Sequence, residues 1–343
     1  MTGARRDDEV QGRRAEPLFA AIDLGTNNCR LLIATPTGSG FRVVDSFSRI
    51  VRLGEGLSAS GALQPAAMAR TLEALAVCAE RIGRRDVRQV RAVATQCCRG
   101  AANGQAFVRQ VRETTGLRLE VISTEEEARL AVAGCLDLLD GTKDAALVMD
   151  VGGGSTEVSW LDLRPGATRL AGWRSLPLGV VALAEGYPES ELGAREAYAG
   201  MLAQVRAVLA EAGDPGGMAA LFSAGRGQVV GVSGAVTSLA ALQMRLPRYR
   251  RDLVDGASIL AADCADVTER LLEMDVAERA QESCIGPGRA DLVLAGAAIL
   301  AGVLERWPAQ SVRVGDRGLR EGLLLELMGK APRGEARPEE RAA

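Results

Sequence analysis

Two stretches of the chain share one hydrophobic rhythm. From Ala20, AAIDLGTNNCRLLIAT runs an apolar segment into Asp23, breaks into a Gly-containing polar turn and resumes as an apolar segment. ALVMDVGGGSTEVSWLD, from Ala146, repeats the plan with Asp150 in the equivalent place. The pattern predicts strand, turn, strand in both. After the first pair, 41–53 reads as a third strand with partial alternation. A helix follows over 65–82, with Pro65 in its first turn and a stripe of Met68, Leu72, Leu75, Ala79 and Ile82. A strand over 87–95, a helix ending at Gly116 and a strand over 117–123 come next. The helix opening at 124 has Thr124 as N-cap and Glu127 three residues on, a capping box by spacing.

The second half repeats the plan. Strands are predicted over 145–151, 155–163 and 168–178, helices within 189–212, and a strand over 227–233 leading into a helix over 234–244. Further helices lie at about 258–273 and 289–306, and the C-terminal region gives a strand, a Gly turn and a closing helix. The implied fold class is α/β, duplicated, with a cleft between two domains.

Composition narrows the chemistry mainly by what is missing. The chain has no histidine, which removes Ser-His-Asp and Cys-His catalysis and His-ligated zinc. Of 41 basic residues only Lys143 and Lys330 are lysines, and neither sits in a P-loop. Arginine must therefore carry any anion binding. A net charge of −3 gives no generalised affinity for nucleic acid or acidic membranes. No run reaches the roughly 18 apolar residues of a membrane helix. Residues 1–16 lack a signal-peptide core and, like 331–343, read as a disordered tail. Seven cysteines without a C-x-x-C pair fit a reducing cytoplasm. Cys78 and Arg84 match C-x(5)-R, but Cys78 falls within a helix, where packing is the expected role. RLPRYRRD (245–252) reads as a solvated loop.

The paired turns have a physical logic for phosphate. Glycines allow close backbone approach and turn N–H groups outward. Thr26, Asn27, Asn28, Ser155 and Thr156 add neutral donors. A strand-end Asp would repel phosphate unless a divalent cation stood between them. Two such hairpins across a cleft can clamp a phosphoryl group from both sides. The glycines of GGG (152–154) open a strand rather than a helix, which argues against a dinucleotide fold.

AIDLGTNNCRLLIA, VRLGEGL, EEEARLAVAG, MDVGGGSTEV, GVSGAVTSLAAL, RADLVLAGAAIL and GLREGLL follow in the order found in the Ppx/GppA family, the exopolyphosphatases and guanosine pentaphosphate phosphohydrolases, and the chain resembles that family over roughly 18–330. The resemblance implies a duplicated ribonuclease-H-like fold of the actin-like ATPase superfamily. Domain I would span 17–125 with a returning helix at 317–330, and domain II 126–316. Asp23, Gly25, Thr26, Asn27 and Asn28 would form one phosphate loop. Asp150, Gly152, Gly153, Gly154, Ser155 and Thr156 would form the other.

The resemblance also implies Glu127 and Glu157 as catalytic residues, with Glu126 the nearest competitor to Glu127. Asp23, Asp150 and Glu157 would hold Mg²⁺ or another divalent cation. Arg30, Arg99, Gly231, Ser233 and Gly234 would contact phosphate. Val232 and Ala235 stand where the family usually has threonine, so two hydroxyl donors are missing. The implied reaction releases orthophosphate from polyphosphate or from pppGpp, in the cytoplasm, by a possible homodimer. A phosphotransferase of the same fold and a non-catalytic alarmone sensor are the alternatives.

Overall fold

The computed structural model describes residues 16–38, 40–165 and 168–330. Apart from Glu16, the two tails expected to be disordered lie outside them. The first lobe holds β1 (Leu18–Leu24), β2 (Asn28–Pro36), β3 (Phe41–Ile50), β4 (Val87–Ala94) and β5 (Leu119–Val121), in the order β3-β2-β1-β4-β5. The second holds β6 (Ala145–Val151), β7 (Thr156–Asp162), β8 (Arg169–Leu176), β9 (Gly227–Val232), β10 (Ser258–Leu260) and β11 (Ser311–Gly315), in the order β8-β7-β6-β9-β11-β10.

The pairing senses match as well as the order. β1–β2, β2–β3, β6–β7 and β7–β8 are antiparallel, while β1–β4, β4–β5, β6–β9 and β11–β9 are parallel. Only β10 is extra. This is the duplicated ribonuclease-H-like architecture, and the two turns that open it occupy equivalent places in both sheets.

Helices cover the sheets where their apolar faces direct them. Helix Pro65–Gly83 buries Ala67, Thr71, Ala74, Leu75 and Cys78, with Met68, Leu72, Ala79 and Ile82 along its margin. The buried face is thus rotated from the expected stripe, because the small residues let the helix sit close to the sheet. Cys78 faces this core, as its packing role required. In the second lobe, Trp160 and Trp307 meet edge to face at 5.3 Å within the largest cluster.

Three local expectations change. The helix Thr124–Ala133 is capped by Ser123, whose hydroxyl accepts the Glu126 N–H at 3.1 Å, so the cap lies one residue before Thr124 and Glu127 takes no part in it. This helix ends where a Cβ on Gly134 would lie 2.1 Å from the Gly318 carbonyl oxygen. Residues 258–260 add the edge strand β10, and the helix expected from 258 starts at Ala261.

Helix Thr124–Ala133 lies where the lobes meet. Its Leu130 joins Phe19, Leu32 and Val93 of the first sheet together with Leu319, Leu323 and Leu324 of the closing helix Leu319–Leu327, while Val132 joins Val148 and Val230 of the second sheet. A boundary at residue 125 falls in its first turn. Among the described residues, no helix is long and apolar enough to cross a membrane.

Candidate active site

Each opening hairpin brings its Asp to the same place by register. Asp23 at the end of β1 lies opposite Arg30 on β2, and Asp150 on β6 lies opposite Glu157 on β7. The turns close alike: the Gly25 N–H donates to the Asn28 carbonyl at 2.9 Å and the Gly152 N–H to the Ser155 carbonyl at 2.8 Å. The two turns also touch. A Cβ on Gly153 would stand 2.9 Å from the Thr26 Cβ, and one on Gly154 3.0 Å from the Thr26 hydroxyl. Here glycine is required by contact between the turns.

Between them lies a cleft. The structure brings Asp23, Gly25, Thr26, Asn27, Asn28, Arg30, Glu127, Asp150, Gly152, Gly153, Gly154, Ser155, Glu157, Ser233 and Gly234 to its walls. Three expected contact residues do not line it. Arg99 stands behind Glu127, donating to that carboxylate at 3.2 Å, to Gln96 at 2.9 Å and to the Ile122 carbonyl at 2.7 Å. Thr156 is fully buried and donates to the Leu178 carbonyl, and Gly231 lies within β9, where a Cβ would meet Val236 at 2.9 Å.

The two departures from threonine separate. Val232 is buried among Val132, Cys135 and Leu138, so a hydroxyl at that position would not reach the cleft. Ala235 does line it, and its Cβ would lie 2.6 Å from a Cβ on Gly296, so small size at these two positions lets helix Gly234–Gln243 approach helix Val293–Arg306. Ser233 caps the former helix with φ 113° and ψ 169°, a region that a side chain makes costly by about 1–3 kcal/mol.

The carboxylates are only partly compensated. Burial first, then the charges of Glu157 and Asp23, push Asp150 up to about 7. Burial raises Asp23 as well, against the pull of Arg30 and Arg320. Glu127 is held well above the ordinary carboxylate range, mainly by burial and then by the Glu157 charge. Glu157 is raised by burial although the Ser175 and Ser155 hydroxyls donate to its Oε1 at 2.7 and 2.8 Å. Glu126, by contrast, turns away and pairs with Arg91.

Facing these groups are arginines for which the sequence suggested no role. Arg289 and Arg320 line the cleft beside Arg30. Arg289 makes no ion pair among the described residues; its guanidinium packs against Gly234 and donates to the Ser238 hydroxyl at 3.3 Å. Burial and then the Arg30 charge push its pKa down. Arg320 is lowered chiefly by burial, despite Glu321 at 3.7 Å. Arg289 opens the motif RADLVLAGAAIL, and Arg320 lies within GLREGLL. An arginine beside a turn glycine in a chain with 39 arginines is too common a feature to single them out.

The donor set accepts a hard cation. The buried Oδ1 atoms of Asn27 and Asn28 have no hydrogen-bond partner, a deficit that a cation or its bound water would relieve. Among the described residues, however, no three Asp, Glu, Cys or His side chains converge as a ligand cluster, so Asp23, Asp150 and Glu157 are not a preformed three-carboxylate cage. One or two carboxylates completed by substrate oxygens and water is the arrangement Mg²⁺ ordinarily takes.

Comparison with known proteins bears on the family and the fold. The family model described as the Ppx/GppA phosphatase family matches residues 32–331. Exopolyphosphatase 2 of Mycobacterium tuberculosis is 31% identical over 324 residues, covering 90% of this chain and 98% of the relative. A crystal structure of an exopolyphosphatase-like protein superposes with a TM-score of 0.82 at 30% identity, covering 90% and 98% of the two chains. The Aquifex aeolicus member of the Ppx/GppA family gives 0.74 at 28% identity, covering 92% and 98%.

Proposed function

Because the chain belongs to the Ppx/GppA phosphatase family, a family of phosphoanhydride hydrolases, we propose that its cleft hydrolyses the terminal phosphoanhydride of inorganic polyphosphate. The observation that carries this reading is a double charge deficit. Arg30, Arg289 and Arg320 line the same cleft as Asp23, Glu127, Asp150 and Glu157, yet burial disfavours the charged form of Arg289, Arg320 and all four carboxylates, so neither set fully neutralises the other. A phosphate end accompanied by a divalent cation satisfies both at once.

The turns at 25–28 and 152–155 clamp the terminal phosphoryl group with backbone N–H groups, Thr26 and Ser155. Arg30 and Arg289 grip its oxygens bidentately. Asp150, with Asp23 or Glu157, would hold a divalent cation such as Mg²⁺, which would supply neutralisation of the charge on the phosphate oxygens. Glu127 is the general base. It orients a water molecule, takes its proton as the oxygen attacks phosphorus, and the P–O bond to the next phosphate breaks. Orthophosphate leaves, and the shortened chain carries the bridging oxygen away. A raised carboxylate pKa makes Glu127 a stronger base than an exposed one. Arg99, placed behind it, keeps the side chain aimed. Ser155 and Ser175 orient Glu157 in the same way.

The terminal phosphoanhydride of pppGpp offers the same end group, so it is a second substrate of this reading. Orthophosphate release from long polyphosphate, tripolyphosphate, pppGpp and ATP, each with Mg²⁺ and with EDTA, tests it. Metal-dependent release from polyphosphate is expected. No release from any of the four overturns the proposal.

A further inference from the structure

The segment after β3 touches both lobes at once. On its own side, the Val51 and Arg52 N–H groups donate to the Asn27 carbonyl at 2.9 and 3.0 Å, and the Gly54 N–H to the Thr26 carbonyl at 2.9 Å. The segment therefore fixes the backbone of the first turn. A Cβ on Gly54 would lie 2.2 Å from the Thr26 Cγ2, so the approach is as close as glycine permits. Across the gap, Arg52 Nη1 and Nη2 each donate to a different oxygen of Asp291 at 2.9 Å. The Gly56 N–H donates to Glu185 at 3.0 Å. Asp291 lies two residues after Arg289 in the cleft wall. Arg52 also has φ 47°, a left-handed backbone unusual for a side-chain-bearing residue.

We infer that Arg52 and Asp291 form a latch that holds the two lobes closed and keeps Arg289 in the cleft it shares with the first turn. They are positioning residues, and neither lines the cleft. The bidentate geometry fixes orientation as well as distance. The inference does not depend on the proposed hydrolysis, because closure is measurable without substrate.

All seven native cysteines are buried, so a Glu113→Cys, Arg270→Cys pair on exposed helices of the two lobes takes fluorescent labels selectively. Single-molecule energy transfer then reads the ratio of open to closed molecules in the full chain without phosphate. Arg52→Gly keeps the left-handed backbone while removing the guanidinium, and Asp291→Asn removes the charge alone. Each is expected to raise the open-to-closed ratio about five-fold, corresponding to the upper range of a solvent-accessible ion pair. The double exchange Arg52→Asp, Asp291→Arg returns it towards the wild-type value, since Asp tolerates the left-handed region. A distribution unchanged in both single variants overturns the latch. So does a double exchange as open as the single variants while its melting temperature matches wild type.

Discussion

Replacing Asp150 with asparagine should stabilise the protein, by an amount that depends on pH. Asp150 has its pKa raised from 3.8 to about 7 by burial and by the neighbouring Glu157 and Asp23 charges. At about 1.4 kcal/mol per pKa unit, that is about 4 kcal/mol against the ionised folded form. Between pH 3.8 and 7 the folded protein keeps a proton that the unfolded chain has released. Stability from this group is therefore intact below 3.8 and falls as pH rises through about 7, where the deficit becomes complete. Asp150→Asn removes that dependence.

In metal-free, phosphate-free buffer, the variant should melt about 6 °C above wild type at pH 8, at roughly 1.5 °C per kcal/mol for a chain of 343 residues. The gap should narrow steadily towards pH 5. Differential scanning fluorimetry on both proteins across that range measures it, with effects common to both cancelling in the difference. A gap that is flat with pH, or a variant less stable at pH 8, would refute the electrostatic account. Mg²⁺ should raise the wild-type melting temperature more than that of the variant.

Glu127→Gln should lower kcat for polyphosphate about 100- to 10,000-fold while leaving orthophosphate affinity within a few-fold, read by steady-state kinetics beside calorimetry. In wild type, the acid limb of kcat/KM should lie well above the ordinary carboxylate range, because the base must be ionised and burial raises Glu127. A limb near 4.5 would exclude that role. Arg289→Ala should weaken orthophosphate binding about ten-fold or more, whereas Arg289→Lys should recover part of it, since charge survives but bidentate geometry does not. Equal binding by all three proteins would remove Arg289 from the phosphate site. Ser233→Gly should raise stability by about 0.5–1 kcal/mol: the relief of φ 113° exceeds the few tenths lost with the cap. A lower melting temperature would show that the hydroxyl outweighs the strain.

Residue sequence alone specified a good deal here. Period-2 alternation around D-x-G turns fixes both hairpins, because side-chain alternation and glycine turns are local properties of the chain. The near-repeat of that hairpin also marks the duplication. Lack of histidine and of a P-loop lysine confines the chemistry to carboxylates, hydroxyls, amides and arginine. Tertiary structure decided which residues meet. Glu126 and Glu127 are adjacent glutamates until Ser123 sets the helix start, sending one to Arg91 and the other into the cleft. Arg99 looks like a phosphate ligand until the packing puts it behind Glu127, and Val232 looks like a lost donor until its side chain is found in a core. Arg289 and Arg320 are two among many arginines along the chain. Only closure of the lobes, bringing residues hundreds of positions apart to one cleft, makes their shared charge visible, because such convergence follows from long-range packing and leaves no local pattern to read.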